Sequence, residues 1–381
     1  MIRRTSRRWR AALLAPLVLV LAACAENAPL DTLDPQGPES RSIHNLVVPV
    51  FAVAGVVFVL VQVGVLYLAV RFRKREDDDG SLPPQVHGNF KLEIGWTILP
   101  AIVLALVGAG SVFTLLDLAE TPVGAREVTV IGQQWWWEYR YDVDGDGEDD
   151  VVTSSDLVIP AGEPIALTIT SRDVIHSFWI PALNGKRDAV PGRSHPLTIE
   201  ADEPGVYRGQ CTEFCGLSHG YMRMRVVALS PADYEAWQAN QLEGASIPSG
   251  EYAKEGMATF RTSCSGCHVV SGKGGNEEER DAIDNSVALV SGAAPNLTHF
   301  ASRGVFAGGI FDLWVDQNDN GEIEPSEIGD GGQLNVADLE KWLRNPPAEK
   351  PMAPDQQRGM PNLELSEEQI DHLVAYLETL E

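Results

Sequence analysis

Two long uncharged stretches constrain this chain more than any other feature of its sequence. Residues 46–70 and 95–116 contain no charged side chain over 25 and 22 residues, respectively. About 20 apolar residues are enough for a helix to cross the hydrocarbon core of a bilayer. Four basic side chains within residues 71–75 follow the first stretch, which places the connecting loop in the cytoplasm. The sequence therefore predicts a transmembrane hairpin over 46–118, with everything from about Ala119 onward on the extracytoplasmic face.

The residues before the hairpin indicate export. Five arginines within residues 1–10 precede an apolar run over 11–22, and the small residues that follow end at Cys24. This order is typical of a secretory signal. Because the small residues stop at a cysteine, residues 1–23 resemble a bacterial lipoprotein signal, with lipidation at Cys24; an ordinary signal peptide is the alternative. Residues 24–45, which are rich in proline, glycine and acids, are predicted to be a flexible tether.

Charge and cysteine content exclude several classes of protein. The chain has a formal charge of −25, and residues 119–381 carry 44 acidic but only 18 basic side chains. Such a balance disfavours nucleic acid as a partner and favours cationic partners. Five cysteines in 381 residues also exclude a disulfide-stapled scaffold.

Residues 119–232 are predicted to form a β-sandwich or barrel. Alternating apolar residues, β-branched side chains and Pro/Gly punctuation indicate short strands. The predicted strands cover residues 127–131, 135–141, 157–159, 165–171, 195–199 and 222–229.

Near the end of this region lies a concentrated set of soft metal donors. Cys211, Cys215, His219 and Met222 lie within twelve residues, and His176 offers a second imidazole upstream. Thiolate, thioether and imidazole ligands favour copper over magnesium or calcium. A Cys211–Cys215 disulfide is the alternative that an oxidising compartment would permit.

This pattern, Cys211-x-Glu213-x-Cys215-x3-His219-x2-Met222 with upstream His176, resembles subunit II of haem-copper cytochrome c oxidases over roughly residues 43–232. The resemblance implies a cupredoxin-like domain with a dinuclear copper centre (CuA). By the family pattern, Cys211 and Cys215 bridge the copper ions, His176 and His219 cap one each, Met222 binds one, and Glu213 offers its carbonyl to the other. The Glu213 side chain would also reach a magnesium or manganese ion shared with subunit I.

Two further segments fit this family. Trp135 in the run of tryptophans at 135–137 corresponds to the residue at which electrons enter, although tryptophans on a strand are more often core residues. The segment 91–100 matches the start of the second span, where Glu93 would lie near the mouth of a proton channel of subunit I. A solvated acid that complements the helix dipole is the alternative for Glu93.

After a linker predicted at 233–250, residues 251–381 contain a haem-attachment motif. Cys264 and Cys267 suit thioether bonds to haem vinyl groups, and His268 is placed to be an iron ligand. The region resembles an all-α class I cytochrome c, with a terminal helix after a capping box at Ser366 and Gln369. The sixth ligand is expected to be Met360, with Met352 as the alternative, and the Pro295 carbonyl is expected to orient His268.

An insertion at 306–334 distinguishes this region from small cytochromes. Within it, a twelve-residue loop has oxygen donors at the spacing of an EF-hand calcium site, namely Asp316, Asn318, Asn320, Glu322, Glu324 and Glu327. A solvated acidic loop is the alternative. The segment 142–147 begins in the same way but lacks the last glutamate, which favours an acidic hairpin turn.

Together these features predict the subunit through which electrons enter a respiratory cytochrome c oxidase in a bacterial cell membrane. Electrons would pass from its own haem c to the copper pair and on to the haem of subunit I, where oxygen is reduced to water with proton translocation. The implied partners are subunits I and III and a reduced donor, either cytochrome c or a quinol–cytochrome c reductase complex. The alternatives are a nitric oxide reductase subunit and a lipoprotein that stores copper or senses calcium.

Overall fold

The computed structural model describes residues 28–73, 85, 87–272, 294–329, 332–353 and 358–381. The expected signal segment 1–23 and Cys24 lie outside the described residues. Within them, the chain forms two long helices, a domain of β-strands and a mainly helical C-terminal domain. This order confirms the predicted fold class.

The two apolar stretches form helices α1, Pro38–Arg71, and α2, Phe90–Leu118. Both are long and apolar enough to cross a membrane, and their apolar side chains are exposed along most of their length. The Asn89 side chain caps α2 by accepting hydrogen bonds from the amides of Lys91 and Leu92. Within the part of the chain that the structure describes, most of these side chains have no protein surface to pack against, as expected for a lipid-facing hairpin.

The first helix begins earlier than the sequence suggests, within the segment expected to be a tether. Ser40 Oγ donates to the carbonyl of Ala182 at 2.7 Å, and the Gln36 amide donates to the same carbonyl at 2.8 Å. Arg41 forms an ion pair with Asp202. The β-domain therefore holds residues 36–41, which orders the first turn of α1 instead of leaving it flexible.

Ten strands build the β-domain. They are β1 Arg126–Gln133, β2 Trp136–Tyr141, β3 Val151–Ser154, β4 Asp156–Pro160, β5 Ile165–Ser171, β6 His176–Phe178, β7 Arg187–Ala189, β8 His195–Ile199, β9 Gly205–Gln210 and β10 Arg223–Leu229. One sheet has the order β3-β2-β1-β5-β8, the other β4-β10-β9, and β6 pairs with β7. Leu157, Ile169, Phe178 and Val226 are fully buried between the sheets. The prediction of a β-sandwich is thus confirmed.

A helix follows β10 where the sequence analysis places a linker. Helix α3, Pro231–Gln241, begins after Ser230, whose hydroxyl accepts from the Asp233 amide. Tyr234 and Trp237 of this helix pack against Val158 and Val227 on the outer face of the second sheet. Burial of these aromatic rings keeps the segment helical and attached to the β-domain, so the structure differs from the expected boundary at 232.

The C-terminal domain consists mainly of helices. These are α4 Glu251–Ser263, α5 Val336–Arg344, α6 Pro346–Glu349 and α7 Glu367–Leu377, with a short hairpin of β11 Val305–Phe306 and β12 Phe311–Asp312. The capping box of Ser366 and Gln369 starts α7 as predicted. Helices α4 and α7 cross so closely at Gly256 that a Cβ on this residue would overlap the His372 carbonyl. Phe260 and Tyr376 pack across the same crossing, with ring centroids 5.5 Å apart.

We predict that Gly256→Ala destabilises this domain, although alanine normally favours a helix over glycine. The added methyl group would force α4 and α7 apart, at a cost of about 1–3 kcal/mol in the free energy of unfolding. Glu255→Ala introduces the same side chain at an exposed position of α4 and should change stability by less than about 0.5 kcal/mol. Chemical unfolding followed by circular dichroism measures both; equal stability of the two variants would contradict this account of the crossing.

Candidate metal and cofactor sites

The soft donors predicted from the sequence meet at one end of the β-domain. Cys211 follows β9, and its amide donates to the Met222 carbonyl at 3.0 Å, which closes the loop between them. Cys215 Sγ lies 3.9 Å from Cys211 Sγ, 3.5 Å from His219 Nδ1 and 3.8 Å from Met222 Sδ. The Glu213 carbonyl lies 3.4 Å from Cys211 Sγ. Both thiols are free, so the structure does not contain the alternative disulfide.

His176 on β6 completes this cluster from a distant part of the chain. Its Nε2 contacts Asp173 Oδ1 at 2.9 Å, and its buried Nδ1 has no hydrogen-bond partner among the described residues. The ligand atoms of His176, Cys211 and Cys215 lie within 4.8 Å of one another. A buried ring nitrogen without a partner, beside two thiols, fits a soft metal ion.

The two cysteines of the cluster are coupled, because the hydrogen bond between them lowers the pKa of the Cys211 thiol and raises that of Cys215. The hydrogen bond with Cys215 lowers the pKa of the Cys211 thiol to about 4, and the nearby His176 contributes in the same direction. Burial opposes the charged form of His176, but its hydrogen bond with Asp173 and the nearby Cys211 thiol raise the pKa of the ring above its ordinary value. The Cys211 side chain is therefore a thiolate at neutral pH, which is the form that binds metal.

Trp135 lies directly beside this cluster and is only 2% exposed. Its indole Nε1 donates to the Cys215 carbonyl at 3.1 Å, and Gln134 Nε2 donates to the same oxygen at 2.7 Å. The cysteine loop is therefore attached to the tryptophan through the backbone of Cys215.

A second site is a cavity of about 220 Å³ between the β-domain and the C-terminal domain. This volume far exceeds the roughly 10–15 Å³ that one buried water needs. Cys264, Cys267, His268 and Met360 all line it, and so does Trp135 from the β-domain. Most of the remaining lining is apolar, including Phe260, Leu343, Leu373 and Leu377. Two thiols, an imidazole and a thioether around a large apolar cavity fit a covalently attached haem.

His268 is oriented within this cavity as the sequence predicts. Its Nδ1 donates to the Pro295 carbonyl at 2.8 Å, which orients the ring and makes Nε2 the unprotonated nitrogen of the neutral imidazole. Burial lowers the pKa of His268, so the ring is neutral and able to ligate. Met352, the alternative to Met360, is absent from the described lining of the cavity.

Sequence reasoning missed Lys350, which joins the two sites. Its Nζ donates to the carbonyls of Trp135 and Ala307, at 2.6 and 2.8 Å. Burial lowers the pKa of this amine to about 7. A lysine in a proline-rich loop carries no sequence signal for such a position, because both of its acceptors are backbone atoms far away in the chain.

The loop predicted to bind calcium is folded around its own side chains. Asp316 Oδ2 accepts from the Gly321 amide at 2.7 Å, and the Asn318 and Asn320 side chains accept from amides two residues ahead. Glu327 is buried and accepts from the amides of Gln317 and Glu324. The side chains of Glu322 and Glu324 instead contact Arg208 and Asn320.

Comparison with known proteins assigns the family. Residues 26–114 match the model for the transmembrane domain of cytochrome c oxidase subunit II, and residues 146–229 match the model for its periplasmic domain. Cytochrome c oxidase subunit 2 of Alkalihalophilus pseudofirmus is 34% identical over 96% of this chain and 94% of its own length. The corresponding protein of Bacillus sp. strain PS3 is 32% identical over 98% and 97%. The chain belongs to the cytochrome c oxidase subunit II family.

A solved structure is also similar to part of this subunit II. The periplasmic domain of subunit II (CoxB) of Bradyrhizobium japonicum is 27% identical, covers 32% of this chain and 96% of its own, and has a TM-score of 0.30.

Membership of this family implies a dinuclear copper centre, a membrane anchor with a periplasmic domain, and other subunits of a haem-copper oxidase. The anchor corresponds to α1 and α2. Neither family model extends beyond residue 229, so the assignment of the C-terminal cavity depends on this chain's own residues.

Proposed function

We propose that this subunit II receives electrons on its own covalent haem c and passes them to the dinuclear copper centre. From there they would continue to the haem of subunit I, where oxygen is reduced to water with proton translocation. One observation carries the proposal: Trp135 lines the cavity that contains the haem-attachment motif and also donates a hydrogen bond to Cys215. The same residue thereby contacts both candidate redox sites.

Six residues would hold the copper pair. Cys211 and Cys215 would supply thiolate ligands, and His176, His219, Met222 and the Glu213 carbonyl would complete the set. His219 presents Nδ1 to the Cys215 thiol, and Asp173 fixes the His176 ring through Nε2, which leaves its buried Nδ1 without a hydrogen-bond partner among the described residues. When bound, such a pair shares one electron between two ions. The protein's task is to hold the ligands rigidly, and the burial of Cys211, Cys215 and Met222 supports that role.

We predict that Cys215→Ser abolishes the near-infrared absorbance of the copper centre and leaves the haem c spectrum intact. The serine hydroxyl does not ionise at neutral pH and cannot replace a bridging thiolate. Optical spectra and metal analysis of the purified oxidase complex measure both signals. Loss of both together, or of neither, would contradict two separate redox sites in this chain.

Four residues would hold the haem. Cys264 and Cys267 would attach the haem through thioether bonds, and His268 and Met360 would supply ligands to its iron. This choice of methionine is supported by the cavity, whose wall includes Met360. Met360 also packs against the apolar core of the C-terminal domain, which would restrain its side chain.

We predict that Met360→Ala removes the charge-transfer band that a methionine ligand gives to oxidised haem c. Met352→Ala, a matched change on the other side of the same loop, should retain this band. Visible spectra of the oxidised subunit compare the two variants directly. Loss of the band in Met352→Ala alone would reverse the assignment.

We also propose that the loop 316–327 binds calcium. This is supported by Glu327, which lies at the twelfth position of the loop and is buried with its two oxygens directed at the loop backbone. In EF-hand loops this position supplies both oxygens to the ion. The Glu322 side chain points to Arg208, so position 7 would contribute through its backbone carbonyl.

We predict that Glu327→Gln weakens calcium binding at least about tenfold, because the last position supplies two of the ligand oxygens. Asp146→Asn, in the acidic loop at 142–147, should leave the calcium affinity of the loop 316–327 unchanged. Titration calorimetry of the intact subunit with calcium gives both affinities. Equal affinity in wild type and Glu327→Gln would show that the loop is only a solvated turn.

Three further assignments complete the proposal. Glu213 would share a magnesium or manganese ion with subunit I, and Cys24 would carry a lipid. Glu93 would lie at a proton channel of subunit I, although its carboxylate also accepts from the Asn89 amide at 3.1 Å, as a helix-start acid does. Manganese EPR of the complex tests the metal at Glu213, and the intact mass of the mature chain tests the lipid on Cys24. Measurement of proton pumping by a Glu93→Gln variant tests the proton-channel role. Subunit III and a reduced cytochrome c or quinol–cytochrome c reductase complex are the remaining proposed partners.

A further inference from the structure

The insertion at 306–334 supplies none of the residues assigned above as haem or copper ligands. Its first residues, Phe306, Ala307 and Gly308, line the cavity, and several of its described residues contact the β-domain. We infer that this segment, together with Lys350, is a docking clasp that holds the haem domain fixed over Trp135. The inference rests on the proposed function, because it explains how one chain keeps its two redox sites in contact. Its consequence is that the haem domain does not swing on its linker and that an external carrier has no direct access to Trp135.

The clasp approaches strand β10 closely. The Arg223 amide donates to the Gly308 carbonyl at 2.9 Å, so the strand is hydrogen-bonded to the inserted segment. Gly308 and Gly309 have φ of +76° and +78°, where a side chain is strained. A Cβ on Gly308 would overlap Lys350 Nζ and lie 2.7 Å from the Trp135 carbonyl. Glycine is therefore required at position 308, because a side chain would prevent its backbone from approaching the Trp135 carbonyl and the Lys350 amine this closely.

A pair of buried charges lies beneath the clasp. Arg225 and Asp156 form an ion pair in which both side chains are nearly fully buried. Asp156 Oδ2 also accepts from the Gly304 amide at 2.7 Å, and Arg225 Nη1 donates to the Ile323 carbonyl at 3.1 Å. Gly304 borders the insertion and Ile323 lies within it. Undocking would break both hydrogen bonds, and buried charged groups that lose partners are costly.

Residues 350–353 contact the β-domain around Trp135. Lys350 bridges the carbonyls of Trp135 and Ala307 and thus joins the β-domain to the clasp. Ser218 Oγ donates to the Pro351 carbonyl at 2.5 Å, and Ala353 packs against the core of the β-domain. These contacts leave Trp135 2% exposed. A domain that docks only transiently would be expected to have a more open and more solvated interface.

The contrast between two glycines tests this inference. Gly162 has φ of +75°, close to that of Gly308, but a Cβ there would meet nothing within 4 Å. Gly308→Ala and Gly162→Ala therefore impose the same backbone strain, and only the first would also collide with the interface. Lys350→Met provides a second variant that keeps the length of the side chain, with exposed Lys254→Met on α4 as its control.

Hydrogen–deuterium exchange of the complete subunit reports docking without depending on either cofactor. We expect the Arg223 amide to be protected in wild type and to exchange at least about tenfold faster in Gly308→Ala and Lys350→Met. Both controls should match wild type. Electron transfer from haem c to copper after rapid photoreduction should slow by a similar factor in the same two variants.

Two results would overturn the clasp: a wild-type Arg223 amide that exchanges as freely as an unbonded one, or equal exchange in all five proteins. A third result would separate the two proposals. If protection of the Arg223 amide depends on Gly308 and Lys350 but no electron passes from haem c to copper, the clasp is supported and the proposed function is rejected. The two failures are therefore distinguishable.

Discussion

The hydrogen bonds that converge on the Cys215 carbonyl organise the functional end of this molecule. This oxygen accepts from Trp135 and from Gln134, which are adjacent residues between β1 and β2. The cysteine loop, which comes from the other end of the β-domain sequence, is thereby fixed against the first hairpin. Because the same tryptophan lines the cavity of the C-terminal domain, it lies between the proposed copper ligands and the predicted haem-attachment residues.

The membrane anchor is coupled to the same rigid body. Ser40 and Arg41, in the first turns of α1, contact Ala182 and Asp202 of the β-domain, so the anchor does not meet the domain through a free tether. A fixed join of this kind sets the height and tilt of the copper ligands relative to the bilayer. Such placement suits a subunit that must present its metal centre to a membrane-embedded partner at constant distance.

Much of this arrangement can be predicted from the sequence where the signal is local. Strands β5 and β8 have the predicted bounds. Burial alternates along β5, whereas the last three residues of β8 are all buried. Strands β3, β6, β7 and β9 were not predicted. They are short or polar, and their pairing partners, rather than their own pattern, determine them.

The same distinction applies to the sites. Cys211 to Met222 form a compact motif that sequence alone can detect, whereas His176 lies 35 residues before Cys211 and its assignment to the same site depends on the family resemblance. Lys350 has no pattern in the sequence, since its acceptors are carbonyls of distant segments. Asp173 contacts His176 three residues ahead, but it also accepts from the amide of Gln134, 39 residues earlier. Helix α3 was mistaken for a linker because its polar composition conceals the two aromatic residues that attach it to the β-domain.

The inserted segment combines two proposed roles that could have been in conflict. The clasp uses the Ile323 carbonyl and the Glu322 side chain to reach Arg225 and Arg208 of the β-domain. A calcium ion in an EF-hand-like loop would instead take the backbone carbonyl at position 7, which is that of Glu322, together with side chains at the odd positions and at position 12. The two interactions use different atoms of the same loop, so calcium and the β-domain would not compete. Calcium would stiffen the loop from within while the arginines hold it from outside, and both effects would keep the haem domain over Trp135.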